Sequence, residues 1–405
     1  LSMTHATMPA ADAANRPLAG LKVLELARIL AGPWVGQLLA DLGADVVKVE
    51  RRGAGDDTRA WGPPFVERRG GGDLGAAYFH ACNRGKRSIE ADFDNEDDLA
   101  TIRELARAAD VVIENFKVGG LAKYGLDAEG LRAERPALIY CSITGFGQEG
   151  PYATRAGYDF LIQGMAGAMS ITGDPNGPPT KAGYATADIF TGMYASVAIL
   201  AALRRRDATG EGATIDCALL DSQIAVLGNQ AMNYLVSGRA PGRLGNAHPN
   251  IVPYEVFPVA DGHVIIASGN DGQYRKLCAA IGAEALAENP DYATNRGRVA
   301  HRAALVPALA AHTARLGKAE LLARLEAAGV PAGPINGIDE VFADPQVIHR
   351  GLRLDLVHGE AEGGHVPGLR TPILIDGRPQ ASARPAPMLG EHSQDVLSDP
   401  NWKKA

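Results

Sequence analysis

Short apolar runs alternate with amphipathic stretches from Leu18 to about residue 145, and that alternation narrows the possible folds more than any other feature. "LKVLELA" (21–27) has the length of a buried strand, and "GPWVGQLLADLG" (32–43) has the spacing of a helix that Gly43 stops. "DVVKVE" (45–50) predicts a second strand, "EDDLATIRELARAA" (96–109) a helix, and "DVVIENF" (110–116) and "ALIYCSI" (137–143) two further strands. Strands separated by helices imply βαβ crossovers, so the expected class is α/β with a doubly wound, Rossmann-like parallel sheet. Ligands on such sheets collect beyond the carboxyl ends of the strands. The polar residues just after each strand are therefore the ones to inspect.

The pattern changes after Arg206. "GATIDCALLDSQIAVLGNQAMNYLVSG" (212–238) reads as a strand and a long helix, and the Gly-, Pro- and Asn-rich "RAPGRLGNAHPNIVP" that follows reads as a loop. "EVFPVADGHVIIASG" (255–269) predicts a β-hairpin turning at "DG", with helices over 271–330 and a Pro-rich, strand-like tail over 352–392. The expected organisation is a large sheet domain over 18–210, a linker helix and smaller α+β domain over 211–342, and a segment over 343–405 that rejoins the first domain.

Composition excludes several classes of function. The net charge of −7 argues against broad nucleic-acid binding. Four scattered cysteines with no CxxC predict neither a metal site nor disulfides, and fit a reducing, cytoplasmic compartment. No apolar run reaches the ~18 residues of a membrane span, so no membrane role is expected. "LSMTHATMPAADAANRP" at the start lacks the apolar segment of a signal peptide and reads as a lead-in outside the fold.

"GFGQEG" (145–150) follows a strand and spells GxGxxG, but Pro151, Tyr152 and "RAGYD" do not open a glycine-packed helix. A nicotinamide or flavin role is not expected. Basic residues are more suggestive: Arg51, Arg52 and Arg59 follow one strand, Lys117 and Lys123 another, and Arg84, Lys86 and Arg87 lie in "NRGKRS". Taken together they could surround a crevice for a polyphosphorylated ligand, with Asn83 and Asn115 adding neutral hydrogen bonds. Asp188 stands alone among apolar residues in "GYATADIFTGMYASVAILAAL" (183–203), where no other charge falls between Lys181 and Arg204. Helical spacing of Ile189, Phe190, Met193, Tyr194, Val197, Leu200 and Leu203 predicts a core helix, with Thr186 as its cap and Asp188 in its first turn. The positive helix end would keep Asp188 ionised while apolar neighbours strip its water, which suits a carboxylate nucleophile as well as a simple helix-start acid.

The motifs "LAGPWVGQLLADLGADVVKVERRGAGDDTR", "NRGKRSIEADF", "VVIENFKVGGLAKYGL", "SITGFGQEGP", "YATADIFTGMYA", "GVPAGPINGIDEVFADPQV" and "RPAPMLGEH" together resemble the family III (CaiB/BaiF-type) CoA transferases, from Leu18 to His392. The resemblance implies that Asp188 is the nucleophile, passing through an enzyme–acyl anhydride and an aspartyl-CoA thioester. It implies that coenzyme A and acyl-CoA enter as substrates with no permanently bound cofactor and no metal. Arg28, Ile29, Ala31, Arg51, Asn115 and Lys123 would border CoA, with Asn83, Lys86 and Arg87 as further candidates. The loop "GRLGNAHPN" (242–250), containing Arg243, Gly245, Asn246 and His248, would be a lid, and Arg243, His248 or Arg87 would meet a distal carboxylate. An interlocked homodimer is implied as well.

Leu30 replaces the Gln of formyl-CoA-using relatives, which turns the reading away from formyl and oxalate. The dicarboxylate-using branch is closest, with succinyl-CoA as donor and glutarate, mesaconate, malate, itaconate or citramalate as acceptor. Racemases of the family place a His where this chain has Tyr158, and phenols are poor general bases at neutral pH. The alternatives are such a racemase and a non-catalytic CoA-binding protein.

Overall fold

The computed structural model describes residues 16–403. The expected lead-in falls almost wholly on residues outside that range. The chain divides into two compact units. One runs to Ala168 and resumes over Ala182–Gly228 and Pro345–Ala405; the other comprises Met169–Lys181 and Asn229–Asp344.

The first unit is built on six parallel strands: β1 (Lys22–Glu25), β2 (Asp45–Arg51), β3 (Arg87–Ala91), β4 (Val111–Glu114), β5 (Ile139–Thr144) and β6 (Ala213–Ala218). Their spatial order is β3-β2-β1-β4-β5-β6, so the direction of winding reverses beside β1. That reversal opens a crevice at the carboxyl ends of β1 and β4.

Alternation along the strands sends side chains to opposite faces. Val23, Val46, Val111 and Ile139 pack on one face with Val35 and Leu39 of α1 (Ala31–Asp41). Leu24, Val47, Val112 and Tyr140 pack on the other with Leu99, Ile102 and Leu105 of α2 (Glu96–Ala108). Asn95 caps α2 by accepting from the amides of Asp97 and Asp98, and three acids fill its first turn.

β6 belongs to this sheet and not to the smaller domain that the sequence suggested. It pairs with β5 from Ile139↔Ala213 to Thr144↔Ala218. Gly212 permits the entry, because a Cβ there would stand 2.0 Å from the Leu138 carbonyl oxygen. The single long helix expected over the following stretch is two helices. α3 (Asp159–Met165), α4 (Thr186–Thr209) and α5 (Leu219–Ala225) belong to the first unit, whereas α6 (Asn229–Ser237) lies in the second.

The second unit carries an antiparallel sheet of β7 (Tyr254–Val259), β8 (Gly262–Ala267) and β9 (Ala332–Pro334). Phe257, Val264 and Ile266 pack there against Leu277, Leu305, Leu309, Leu321 and Leu325 of its helices. In the final segment of the first unit, β10 (Arg353–Val357) and β11 (His365–Leu369) form a hairpin. Trp402, 1% exposed, donates its indole N–H to Asp45 at 2.7 Å.

The stripe of α4 expected to face the core does so at Leu203, is half-buried at Ile189, and faces outward over most of its length. Thr191, Gly192, Ala195, Ser196 and Ile199 are buried, while Phe190, Met193, Tyr194, Val197 and Leu200 are exposed. Small residues let α1 approach closely: a Cβ at Gly192 would meet the Ala31 carbonyl oxygen at 2.9 Å. α4 also has the length and mean hydropathy, 1.5, of a membrane span, though by composition only.

Candidate active site

A cavity of about 680 Å³ lies in the first unit at the carboxyl ends of β2, β1, β4 and β5. Arg28, Ile29, Ala31, Arg51, Asn115, Lys123, Tyr158 and Asp188 all line it.

The turn leaving β1 is held from two sides. Asn115, just after β4, accepts from the Arg28 amide at 3.0 Å and donates to the Arg28 carbonyl at 2.7 Å. Ile29 adopts φ 73°, a left-handed conformation that a β-branched residue resists. Its amide is directed at the Asp56 carboxylate, at 3.2 and 3.3 Å from the two oxygens.

Asp56 is 3% exposed and also accepts from Thr58 and pairs with Lys48 at 2.9 Å. Burial opposes its ionisation, but Lys48 and the Thr58 hydrogen bonds prevail and hold its pKa below the ordinary carboxylate value. Sequence reading missed Asp56. The signal available was an acid immediately after a Gly-rich turn beyond β2.

The cationic wall lies on the β2–β1–β4 side. Arg28 meets Asp57 at 2.5 Å and Arg51 meets it at 3.6 Å; both guanidiniums are exposed, so these pairs are weak and exchangeable. Lys123 lies 4.3 Å from the Tyr124 ring centroid, beside the Phe93–Phe116 stack.

"NRGKRS" must be reassigned. It enters β3 from the amino end, the opposite edge of the sheet from the cavity, and Asn83, Lys86 and Arg87 do not line that cavity. Lys86 is fully buried, donating to Glu25 at 2.9 Å, the Pro33 carbonyl at 2.8 Å and Asn83 at 2.8 Å. Arg87 pairs with Asp45 and, at 3.2 Å, with Asp399. Buried cations need such partners, so these three residues brace the sheet and are not available to a ligand.

In the second unit, Arg243 donates to the carbonyls of Asp174 at 3.0 Å and Gly177 at 2.7 Å. The Gly245 amide donates to Gly173 at 3.0 Å, and Asn246 is exposed. His248 packs against Tyr254, and burial, followed by Arg302, lowers its pKa. The loop is thus folded on its own unit by backbone contacts.

Asp188 lies in the first turn of α4, but Thr186 does not cap that helix. The Thr186 hydroxyl donates to Gln223 at 2.8 Å. Asp159 of α3 does the capping, with its carboxylate accepting from the amides of Ala187 at 2.7 Å and Asp188 at 3.4 Å. The sequence-based expectation for charge also inverts. Burial, and then the negative charge of Asp159, push the Asp188 pKa up to about 7. Sequence reading passed over Asp159 because its 29-residue separation from Asp188 gives no local signal.

"GFGQEG" serves as a loop after β5, with no helix before α3. A Cβ on Gly145 would lie 2.5 Å from the Cα of Gly157, so this close crossing brings the Arg155–Tyr158 segment to the cavity wall.

A crevice at the switch point of a parallel sheet, lined by Arg28, Arg51, Lys117, Lys123 and Arg155 and by the Asp188 carboxylate, suits an anionic thioester. The profile of CoA-transferase family III matches residues 18–393, and the chain belongs to that family; it is a CoA transferase. It is 61% identical over 391 residues to a succinate–glutarate CoA-transferase of Agrobacterium fabrum, covering 96% of this chain and 97% of the relative. It is 42% identical to the human succinyl-CoA:glutarate CoA-transferase, covering 96% and 88% respectively. A crystal structure of a CaiB/BaiF family protein from Brucella suis superposes with a TM-score of 0.83 at 57% identity, covering 94% of this chain and 98% of that one.

Proposed function

We propose that this enzyme moves CoA from succinyl-CoA to a small dicarboxylate, glutarate first among them, with Asp188 as the nucleophile. The observation that carries the reading is the position of Asp188, on the wall of the cavity that Arg28, Arg51 and Lys123 also line. The named activities of the Agrobacterium and human relatives support the substrate pair.

In this reading the Asp188 carboxylate attacks the succinyl carbonyl and expels CoA thiolate, leaving a mixed anhydride. The thiolate then attacks the aspartyl carbonyl, which releases succinate and forms the aspartyl-CoA thioester. Glutarate attacks that thioester, again expelling thiolate, and thiolate attack on the glutaryl carbonyl yields glutaryl-CoA and free Asp188. A poorly hydrated carboxylate is the more reactive nucleophile, and a pKa of about 7 leaves a large ionised fraction at neutral pH. The cationic wall takes the CoA phosphates, where charge-assisted contacts are strongest.

A homodimer belongs to the proposal, because Phe190, Met193, Tyr194, Val197 and Leu200 of α4 form an exposed apolar face. We place the reaction in the cytoplasm, where the thiols of Cys82, Cys141, Cys217 and Cys278 stay reduced.

The test is mass spectrometry after incubation with succinyl-CoA. A CoA adduct on the peptide containing Asp188, discharged by glutarate, is the expected result. Turnover without any adduct, or exchange of an α-proton instead of transfer, would overturn the assignment.

A further inference from the structure

The dicarboxylate reading leaves one end of the substrate unassigned. A second carboxylate entering a cavity that already holds Asp188, with Asp159 behind it, needs a cation to offset its desolvation. On the β2–β1–β4 side, Arg28 and Arg51 face Asp57, and Lys123 sits over Tyr124. Arg155 stands apart from them. It lines the same cavity from the loop beyond β5.

Arg155 is also held in an unusual way. Its guanidinium carbon lies 4.5 Å from the Tyr152 ring centroid and 5.5 Å from that of Phe146. The two rings are themselves in edge contact, with centroids 5.5 Å apart. A cation–π contact of this kind leaves guanidinium N–H groups able to bond a ligand. Among the described residues, no side-chain or backbone oxygen accepts a hydrogen bond from that guanidinium.

Four residues on, Asp159 accepts from the amides of Ala187 and Asp188, so at most about 14 Å of chain links Arg155 to the start of the nucleophile helix. The Gly145–Gly157 crossing fixes the segment between them.

We propose that Arg155 binds the distal carboxylate of the dicarboxylate acid, through guanidinium N–H groups that no oxygen among the described residues engages. The residue is then a specificity determinant: it selects acids with a second carboxylate and does not take part in bond making. Arg155 is exposed; its contacts with the two rings favour one placement of a planar fork matched to a carboxylate, which reduces the rotamer freedom lost on binding. The inference rests on the dicarboxylate reading of the active site.

The experiment compares glutarate with pentanoate, which has the same chain length and one carboxylate, as acceptors for wild type, Arg155→Gln and Arg155→Lys. CoA affinity is measured in parallel by calorimetry. Arg155→Gln is expected to lower the glutarate-to-pentanoate ratio of kcat/KM by roughly 10- to 100-fold, the range for one charge-assisted contact. Arg155→Lys, which keeps the charge but not the fork, should fall between the two. The CoA dissociation constant should stay constant.

A wild-type glutarate preference that survives Arg155→Gln overturns this assignment and leaves the dicarboxylate reading standing. Weakened CoA binding with an unchanged acid ratio overturns it too, and makes Arg155 a phosphate ligand. A wild type that prefers pentanoate sinks the dicarboxylate reading itself, and this inference with it.

Discussion

Replacing Asp188 by Asn sets two physical effects against each other. A carboxylate in the first turn of α4 gains from the helix dipole, worth about 0.3–1 kcal/mol, and on that ground alone Asp188→Asn would destabilise the fold. Burial and Asp159 act the other way and raise the Asp188 pKa to about 7, whereas an unfolded aspartate titrates near ~3.9.

The folded chain therefore holds a proton that the unfolded chain releases between those values, and stability falls as pH rises through that window. The penalty is absent below pH ~4, partial at pH ~5 and complete above pH ~7, where linkage places it on the order of 4 kcal/mol. Asp188 is only half-buried at the cavity wall, and solvent screening brings the expected change between pH ~5 and pH ~8 to about 2 kcal/mol. Asn carries no charge to desolvate, so Asp188→Asn should be more stable than wild type, by a margin about 2 kcal/mol larger at pH ~8 than at pH ~5. Urea unfolding of the CoA-free protein at both values measures it. A variant less stable than wild type at the higher pH, or a difference independent of pH, would show that the helix dipole outweighs burial at this carboxylate. With Asp188 as the proposed nucleophile, such a gain would be the usual trade of stability for activity at a functional site.

Asp159 should control the acid limb of the rate. Its charge raises the Asp188 pKa, so Asp159→Asn should shift the fall in kcat/KM for succinyl-CoA to lower pH, while the Asn oxygen still accepts from the Ala187 amide; an unmoved limb would assign Asp159 to capping alone. Lys86→Met should cost roughly 3–5 kcal/mol, because it breaks a buried charge network around Glu25, while any folded fraction keeps its CoA affinity. Weakened CoA binding with stability intact would return Lys86 to the ligand site.

The sheet was legible because its signal is local: each strand is a short apolar run, and the period of two commits Val23 and Leu24 to opposite cores. The crevice is a product of strand order; Arg51 and Asn115 are visible in sequence because they stand at strand ends, whereas Arg28 and Ile29 entered through the family resemblance. The same rule failed for Lys86 and Arg87, since a basic run between two elements does not reveal which end of the next strand it touches. Periodicity failed for most of α4: Phe190, Met193, Tyr194, Val197 and Leu200 face outward because small residues are needed against α1 at Gly192, while Ile199 and Leu203 stay in the core. Hydrophobicity alone orders those two faces the wrong way.

The charge state of Asp188 was misjudged for a related reason. A helix start is visible in sequence, whereas the depth of the cavity wall and an acid 29 positions upstream are products of the fold. What the fold adds is a division of labour between two carboxylates. Asp159 takes the amides of Ala187 and Asp188 that would otherwise stabilise an anion at the helix start. Asp188 is left with few donors of its own, and its negative charge is consequently poorly satisfied. That arrangement costs stability in the resting enzyme, yet it is what a carboxylate needs if it is to attack a thioester and not merely cap a helix.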